Sequence, residues 1–145
     1  MGIRLIGGPP PSEDAFSGTE STGRVLVLDR DATVRTTVET LITLAGCQVR
    51  GAQTPAEAVP LVRSWQPELI LLEGSVPSGE TVIAIRALRE TAKWLIPIVL
   101  VGGASIEAEG LLDVLVTGYL PTPFDARELF AVLSRYVSCR RSSGR

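Results

Sequence analysis

Two apolar runs in this chain end on an acid. Leu69-Ile70-Leu71-Leu72 ends on Glu73, within "PELILLEGSVPSG", and Val25-Leu26-Val27-Leu28 ends on Asp29, within "RVLVLDRDATVR". A carboxylate at the carboxyl end of a buried strand is where open α/β sheets place their chemistry. A third run, "PIVLV", ends at Gly102-Gly103, and "GYLP" leads into Thr122-Pro123. The glycine pair could suggest a phosphate cradle, but a lone pair without a following P-loop lysine is a weak signal. Other chemistries are excluded by composition. With 0 histidines the chain has no His-based acid/base catalysis, no phosphohistidine and no ordinary zinc site, and Lys93 is its one lysine. Cys47 and Cys139 are too few and too far apart to read as a disulfide framework, and two free thiols are the expectation.

The elements that position these residues follow from hydrophobic periodicity. Val25–Leu28 is a continuous run bounded by charge, as in a strand buried on both faces. Val34, Val38, Leu41, Ile42 and Ala45 then recur at helical spacing, with Gly46 as the stop. "QVRGA" is a second strand. Thr54-Pro55-Ala56-Glu57 reads as a capping box with proline at the first helical position. Pro60, inside that helix, should kink or shorten it. "ELILL" makes the third strand, residues 80–90 a helix, and "PIVLV" the fourth strand. Residues 105–116 predict a helix with little polar face. "GYLP" is a short fifth strand, and Asp125 caps a last helix with an apolar stripe from Leu129 to Val137.

Five apolar strands alternating with five helices predict a parallel sheet covered on both faces. Right-handed crossovers leave few topologies. In each of them Asp29, Glu73, Gly102 and Thr122 gather along one edge. The 145 residues suit one domain with a leader and a tail: residues 1–23, rich in Gly, Pro and Ser, a mobile leader; 24–138 the domain; 139–145 a basic polar tail. Ile3, Leu5, Ile6 and Phe16 of the leader are expected not to dock. A net charge of −2 argues against a dedicated nucleic-acid binder. No run is long enough to span a bilayer, and no signal peptide is visible, which suits a cytoplasmic protein.

Taken in order, "RVLVLDRDATVR", "PELILLEGSVPSGE", "IPIVLVGGAS" and "GYLPTPFDARELFAVL" resemble the segments of a bacterial response-regulator receiver domain, from about Arg24 to Val137. The resemblance implies a flavodoxin-like (βα)5 three-layer sandwich, its five-stranded parallel sheet in order 2-1-3-4-5. It also implies a site: an acidic pair after strand one that holds Mg²⁺, a phosphoacceptor aspartate after strand three, a hydroxyl after strand four and a Lys-Pro after strand five. The lysine pairs with a phosphoryl oxygen, and the hydroxyl responds to it and repositions a strand-five aromatic.

Position by position, most of that apparatus is replaced. Asp29 matches the first acid, but Arg30 stands for the second. Glu73 occupies the phosphoacceptor position, Gly102 the hydroxyl position and Thr122 the lysine position. Tyr119 matches the switch aromatic, Pro77 the loop proline, and Pro123 the proline of Lys-Pro, which is open to a cis bond. Glu73 is one methylene too long to present its carboxylate where aspartate does, and in-line transfer depends on placement. Three readings of Glu73 stay open: a solvated loop acid, a fixed negative charge paired with Arg30 in place of phosphoaspartate, or a residual phosphoacceptor. An Arg30–Glu73 pair would attract by roughly 4 kcal/mol at an effective dielectric of 20, with much of that offset by desolvation and ordering. Asp31 reads as the cap of the first helix more readily than as a metal ligand.

Three functions of different class follow. The preferred one is a pseudo-receiver, a phosphorylation-independent protein-binding module with no catalytic residue, no cofactor and Mg²⁺ binding lost or weak. Only eight residues follow Val137, so its output is expected to be a contact with a protein partner, self-association through 105–137 being one form. The second is a genuine single-domain regulator in a phosphorelay, with residual phosphoryl or metal binding. The third, a flavin carrier or enzyme on the same scaffold, needs a Ser/Thr/Gly-rich loop after strand one, and "DRDATVR" has no glycine.

Overall fold

Strands buried on both faces have no use for polar alternation, and the central runs of this chain become such strands. The computed structural model describes residues 4–5, 23–74, 78–92, 96–102 and 116–139. In chain order the elements are β1 (Arg4–Leu5), β2 (Arg24–Leu28), α1 (Ala32–Leu44), β3 (Gln48–Ala52), α2 (Pro55–Trp65), β4 (Leu69–Glu73), α3 (Ser78–Thr91), β5 (Ile98–Val101), β6 (Gly118–Leu120) and α4 (Ala126–Tyr136). β2 pairs in parallel with β3 and with β4, β4 with β5, and β5 with β6. The sheet order is β1-β6-β5-β4-β2-β3. Its five parallel strands therefore follow the expected order 2-1-3-4-5. Residues 105–115 of the expected helix, together with Pro77 and Gly103, lie outside the described residues; Val116, its expected last residue, is buried and not helical.

Successive strand residues point to opposite faces and so divide the core in two. On one face Leu26, Leu28, Ile70, Leu72, Ile98 and Leu100 pack with Ala58 and Val62 of α2 and Ile85 and Leu88 of α3. On the other, Val25, Val27, Leu69, Leu71 and Val99 pack with Val38 and Ile42 of α1 and Leu129, Val132 and Leu133 of α4. Each fully buried Leu or Ile contributes roughly 1.5–3 kcal/mol, so these two layers fix which strands are central.

The helix ends follow local chemistry. The Asp31 side chain accepts from Thr33 N–H at 2.9 Å and Val34 N–H at 3.1 Å, so it is the cap of α1. At the other end Gly46 N–H reaches Thr43 O and Cys47 N–H reaches Ile42 O, a Schellman closure. Asp125 and Glu128 form a reciprocal capping box on α4. On α2 only half the expected box is made. Thr54 accepts from Glu57 N–H, but the Glu57 carboxylate reaches back one residue further, to Gln53 N–H at 2.7 Å. Pro60 does not end α2, which continues to Trp65. Pro60 and Ala56 are both exposed, so the Ala56 carbonyl that loses its bond can turn to water.

Two expectations are corrected. Cys47 and Cys139 are not free thiols: they form a disulfide, with Cα atoms 4.6 Å apart across a sequence separation of 92. The chain leaving α4 returns to the start of β3, a juxtaposition that spacing alone could not show. The leader does dock, at Arg4–Leu5, which pairs antiparallel with Tyr119 and Gly118 on the outer edge of β6. Edge strands present unpaired backbone groups, and even two residues satisfy some of them.

A cross-link closing so long a loop restricts the unfolded chain, with a typical effect of about 2–4 kcal/mol. Cys139→Ser should lower stability by about that amount, read as a lower urea midpoint than oxidised wild type. An unchanged midpoint would contradict it.

Candidate functional site

The register of the sheet builds the site. Leu28 stands opposite Leu72 in adjacent parallel strands. The residues that follow, Asp29 and Glu73, therefore lie side by side at its carboxyl edge. Glu73 is opposite Val101 of β5, and Val101 opposite Leu120 of β6. Asp29, Glu73, Val101 and Phe124 line one pocket, with Val27, Val38, Leu71 and Leu129 beneath them. Two carboxylates thus sit over an otherwise apolar floor.

Asp29 is buried, with 7% of its surface exposed. Its Oδ1 accepts from Asp31 N–H at 2.9 Å, and its carbonyl accepts from Arg35 Nη1 at 2.7 Å. The same guanidinium has its Nε 3.8 Å from Glu39 Oε2. Burial holds the Asp29 pKa above the ordinary aspartate range. The Asp31 N–H bond pulls it down, the Asp31 carboxylate pushes it up, and Arg35 pulls it down, without cancelling the burial effect. Arg30, the next residue, is exposed, and Glu73 is half-buried. Among the described residues no group of three or more His, Cys, Asp or Glu side chains is placed to hold a metal ion.

The far side of the edge is made by Gly102 and Thr122. Gly102 has φ +99 and donates its N–H to Leu120 O at 3.0 Å. A Cβ added there would meet nothing nearer than Thr122 Oγ1 at 3.9 Å. Space is available for a side chain, but the backbone conformation is one that L residues adopt only at a cost of roughly 1–3 kcal/mol. Glycine therefore suits the local backbone at this position. Thr122 is exposed, and the Thr122-Pro123 bond is cis. Tyr119 is 6% exposed and packs in the core layer that faces α2 and α3.

The predicted site residues thus divide. Asp29 and Glu73 share the pocket, Gly102 and Thr122 lie close beside each other, Tyr119 belongs to the core, and Asp31 is a cap. Arg35 and Phe124 were missed. Arg35 could have been found, because Asp31, Arg35 and Glu39 recur every fourth residue and so share a face of α1. Phe124 carried no such signal; only the turn at Pro123 brings it over the pocket.

With the geometry established, comparison with known proteins places it. The response regulator receiver domain family model matches residues 25–134. The response regulator MprA of Mycolicibacterium vanbaalenii is 34% identical over 109 residues, covering 74% of this chain and 47% of that protein. MprA of Mycobacterium avium is 32% identical over 109 residues, 74% of this chain and 48% of that protein. The chain spans about half the length of the curated relatives it matches. Among solved structures, the chemotaxis protein CheY4 of Vibrio cholerae superposes with a TM-score of 0.71 at 23% identity, covering 81% of this chain and 100% of that one. A receiver domain protein from Methanospirillum hungatei gives 0.70 at 21% identity, covering 79% and 92%. These two structures show the fold. The chain belongs to the response regulator receiver domain family, the receiver module of two-component signalling.

The raised Asp29 pKa has a signed consequence. A carboxyl whose folded pKa exceeds its unfolded value favours the fold below the unfolded pKa, and that contribution is lost as pH rises through the folded value. Asp29→Asn keeps an acceptor for Asp31 N–H and removes the buried charge. Its urea midpoint should lie above wild type at pH 7, and the gap should close as pH falls toward about 4. Equal midpoints at pH 7 would contradict a buried, ionised Asp29.

Proposed function

We propose that this receiver is a pseudo-receiver: a phosphorylation-independent module that acts by binding another protein in bacterial signal transduction. The observation that supports it most is the pair of neighbouring strand ends, Asp29 and Glu73, over an apolar floor, with Arg30 where a second acid would be needed. The family's hydroxyl and lysine positions hold Gly102 and Thr122, and Gly102 has a backbone conformation that disfavours putting the hydroxyl back.

Each part of phosphoryl transfer then lacks its agent. The acceptor carboxylate is displaced by one methylene, the cation lacks ligands, and the phosphoryl oxygens have no ammonium partner. The Arg30 guanidinium supplies instead the positive charge that two adjacent carboxylates need, and bonds Glu73 in the role of the absent metal. Glu73 is then a fixed negative charge, and the site has one state. Such a module is not an enzyme, carries no cofactor and does not take up Mg²⁺. Its place is the cytoplasm, its partner is a protein and not nucleic acid or membrane, and the 105–137 region is the surface offered, to a second copy of the chain or to another protein. Of the helices in the described residues, none is long and apolar enough to cross a membrane.

Incubation of the full chain with a small-molecule phosphoryl donor and Mg²⁺ should leave its intact mass unchanged. A single phosphoryl adduct mapped to Glu73 would overturn the proposal and favour a working phosphorelay receiver.

A further inference from the structure

The edge of the sheet opposite the acidic pocket carries the disulfide, and its two sulfurs have different surroundings. Cys47 precedes β3 and is 6% exposed, packed in the core layer between α1 and α4. Cys139 lies three residues past the end of α4 and is partly exposed. The chain end that carries it lies flat on Gly23, the residue before β2. A Cβ at Gly23 would come within 2.7 Å of Cys139 Sγ and 3.0 Å of its Cα, and Gly23 has φ +62, so glycine is needed there twice over. Gly23 O also accepts from Gln48 N–H at 3.1 Å. One cross-link thus gathers the start of β2, the start of β3 and the end of α4.

From this geometry we propose that Cys47–Cys139 is a thiol–disulfide exchange site, opened by a small dithiol protein reductant that attacks Cys139. Exchange requires access to the attacked sulfur. Cys139 offers it, being partly exposed beyond the end of α4, whereas Cys47 is enclosed by the core. The reductant's thiolate bonds to Cys139 Sγ as the S–S bond breaks, and Cys47 leaves as a thiolate and takes up a proton. The reductant's second thiol then displaces Cys139 from the mixed disulfide. Two electrons pass to the protein, which ends with two thiols, and the reductant ends as a disulfide. Opening removes the cross-link that holds Cys139 against Gly23, beside the Gln48 N–H bond to Gly23 O. In a reducing compartment a disulfide of this kind is usually transient or redox-sensing. The proposal does not depend on whether the acidic pocket accepts a phosphoryl group.

The test uses the full chain, air-oxidised, in native buffer. Before reduction neither cysteine should react with a maleimide. After incubation with thioredoxin, its reductase and NADPH, both should react, and amide exchange at Gln48 should speed up. With oxidised glutathione, Cys47→Ser should take one glutathione on Cys139, and Cys139→Ser should react on Cys47 at least about tenfold more slowly unless unfolded by urea. Free thiols in the air-oxidised protein would overturn the proposal. So would a disulfide that survives the thioredoxin system, unchanged exchange at Gln48, or equal reaction of Cys47 and Cys139. The wild-type reduction result stands even if either variant fails to fold.

Discussion

Parallel pairing of Leu28 with Leu72 is the constraint on which this site depends. Both residues are buried and sit at the carboxyl ends of adjacent strands, Leu28 last in β2 and Leu72 next to last in β4, so the sheet cannot form without bringing Asp29 and Glu73 together. Register in a sheet buried on both faces is strongly specified, because a slip of one residue would exchange the two core layers. The proximity of two carboxylates is therefore dictated by the core. What varies is how their charge is handled. In a working receiver a metal ion handles it; in the reading proposed for this chain a guanidinium does. Arg35 adds a second positive group, fixed on the Asp29 carbonyl, but it does not offset the burial of the Asp29 carboxyl.

The rest of the edge is consistent with this division between scaffold and chemistry. Core packing, the caps at Asp31 and Asp125 and the cis Thr122-Pro123 bond are all in place. These features answer to stability, which each side chain supports locally. In the reading proposed, the replaced positions are those that would touch a phosphoryl group or its metal. Arg30 and Thr122 are exposed, and changing such residues costs a fold little.

Much of the fold was legible because it rests on periodicity and capping, which are local. The apolar runs, the N-cap residues and the break at Gly46 each specify an element without reference to distant residues. The site was legible in part, since strand ends in a parallel sheet must converge. The features that escaped are those created by tertiary return of the chain. Cys47 and Cys139 meet only because α4 ends beside the start of β3, and Arg4–Leu5 pairs with β6 only because that edge is open. A run of two residues in a Gly/Pro-rich context has no strand signature of its own. Phe124 reaches the pocket through a turn whose direction no local pattern encodes.

The central claim is that a receiver fold here carries an acidic site disabled by Arg30 and Glu73. Calorimetric titration of Mg²⁺ into wild type and into the double variant Arg30→Asp/Glu73→Asp tests it most directly. The account predicts no saturable binding by wild type and saturable binding by the variant, which gains an acid at position 30 and has the shorter acid at position 73. Saturable binding of Mg²⁺ by wild type, or none by a correctly folded variant, would contradict it.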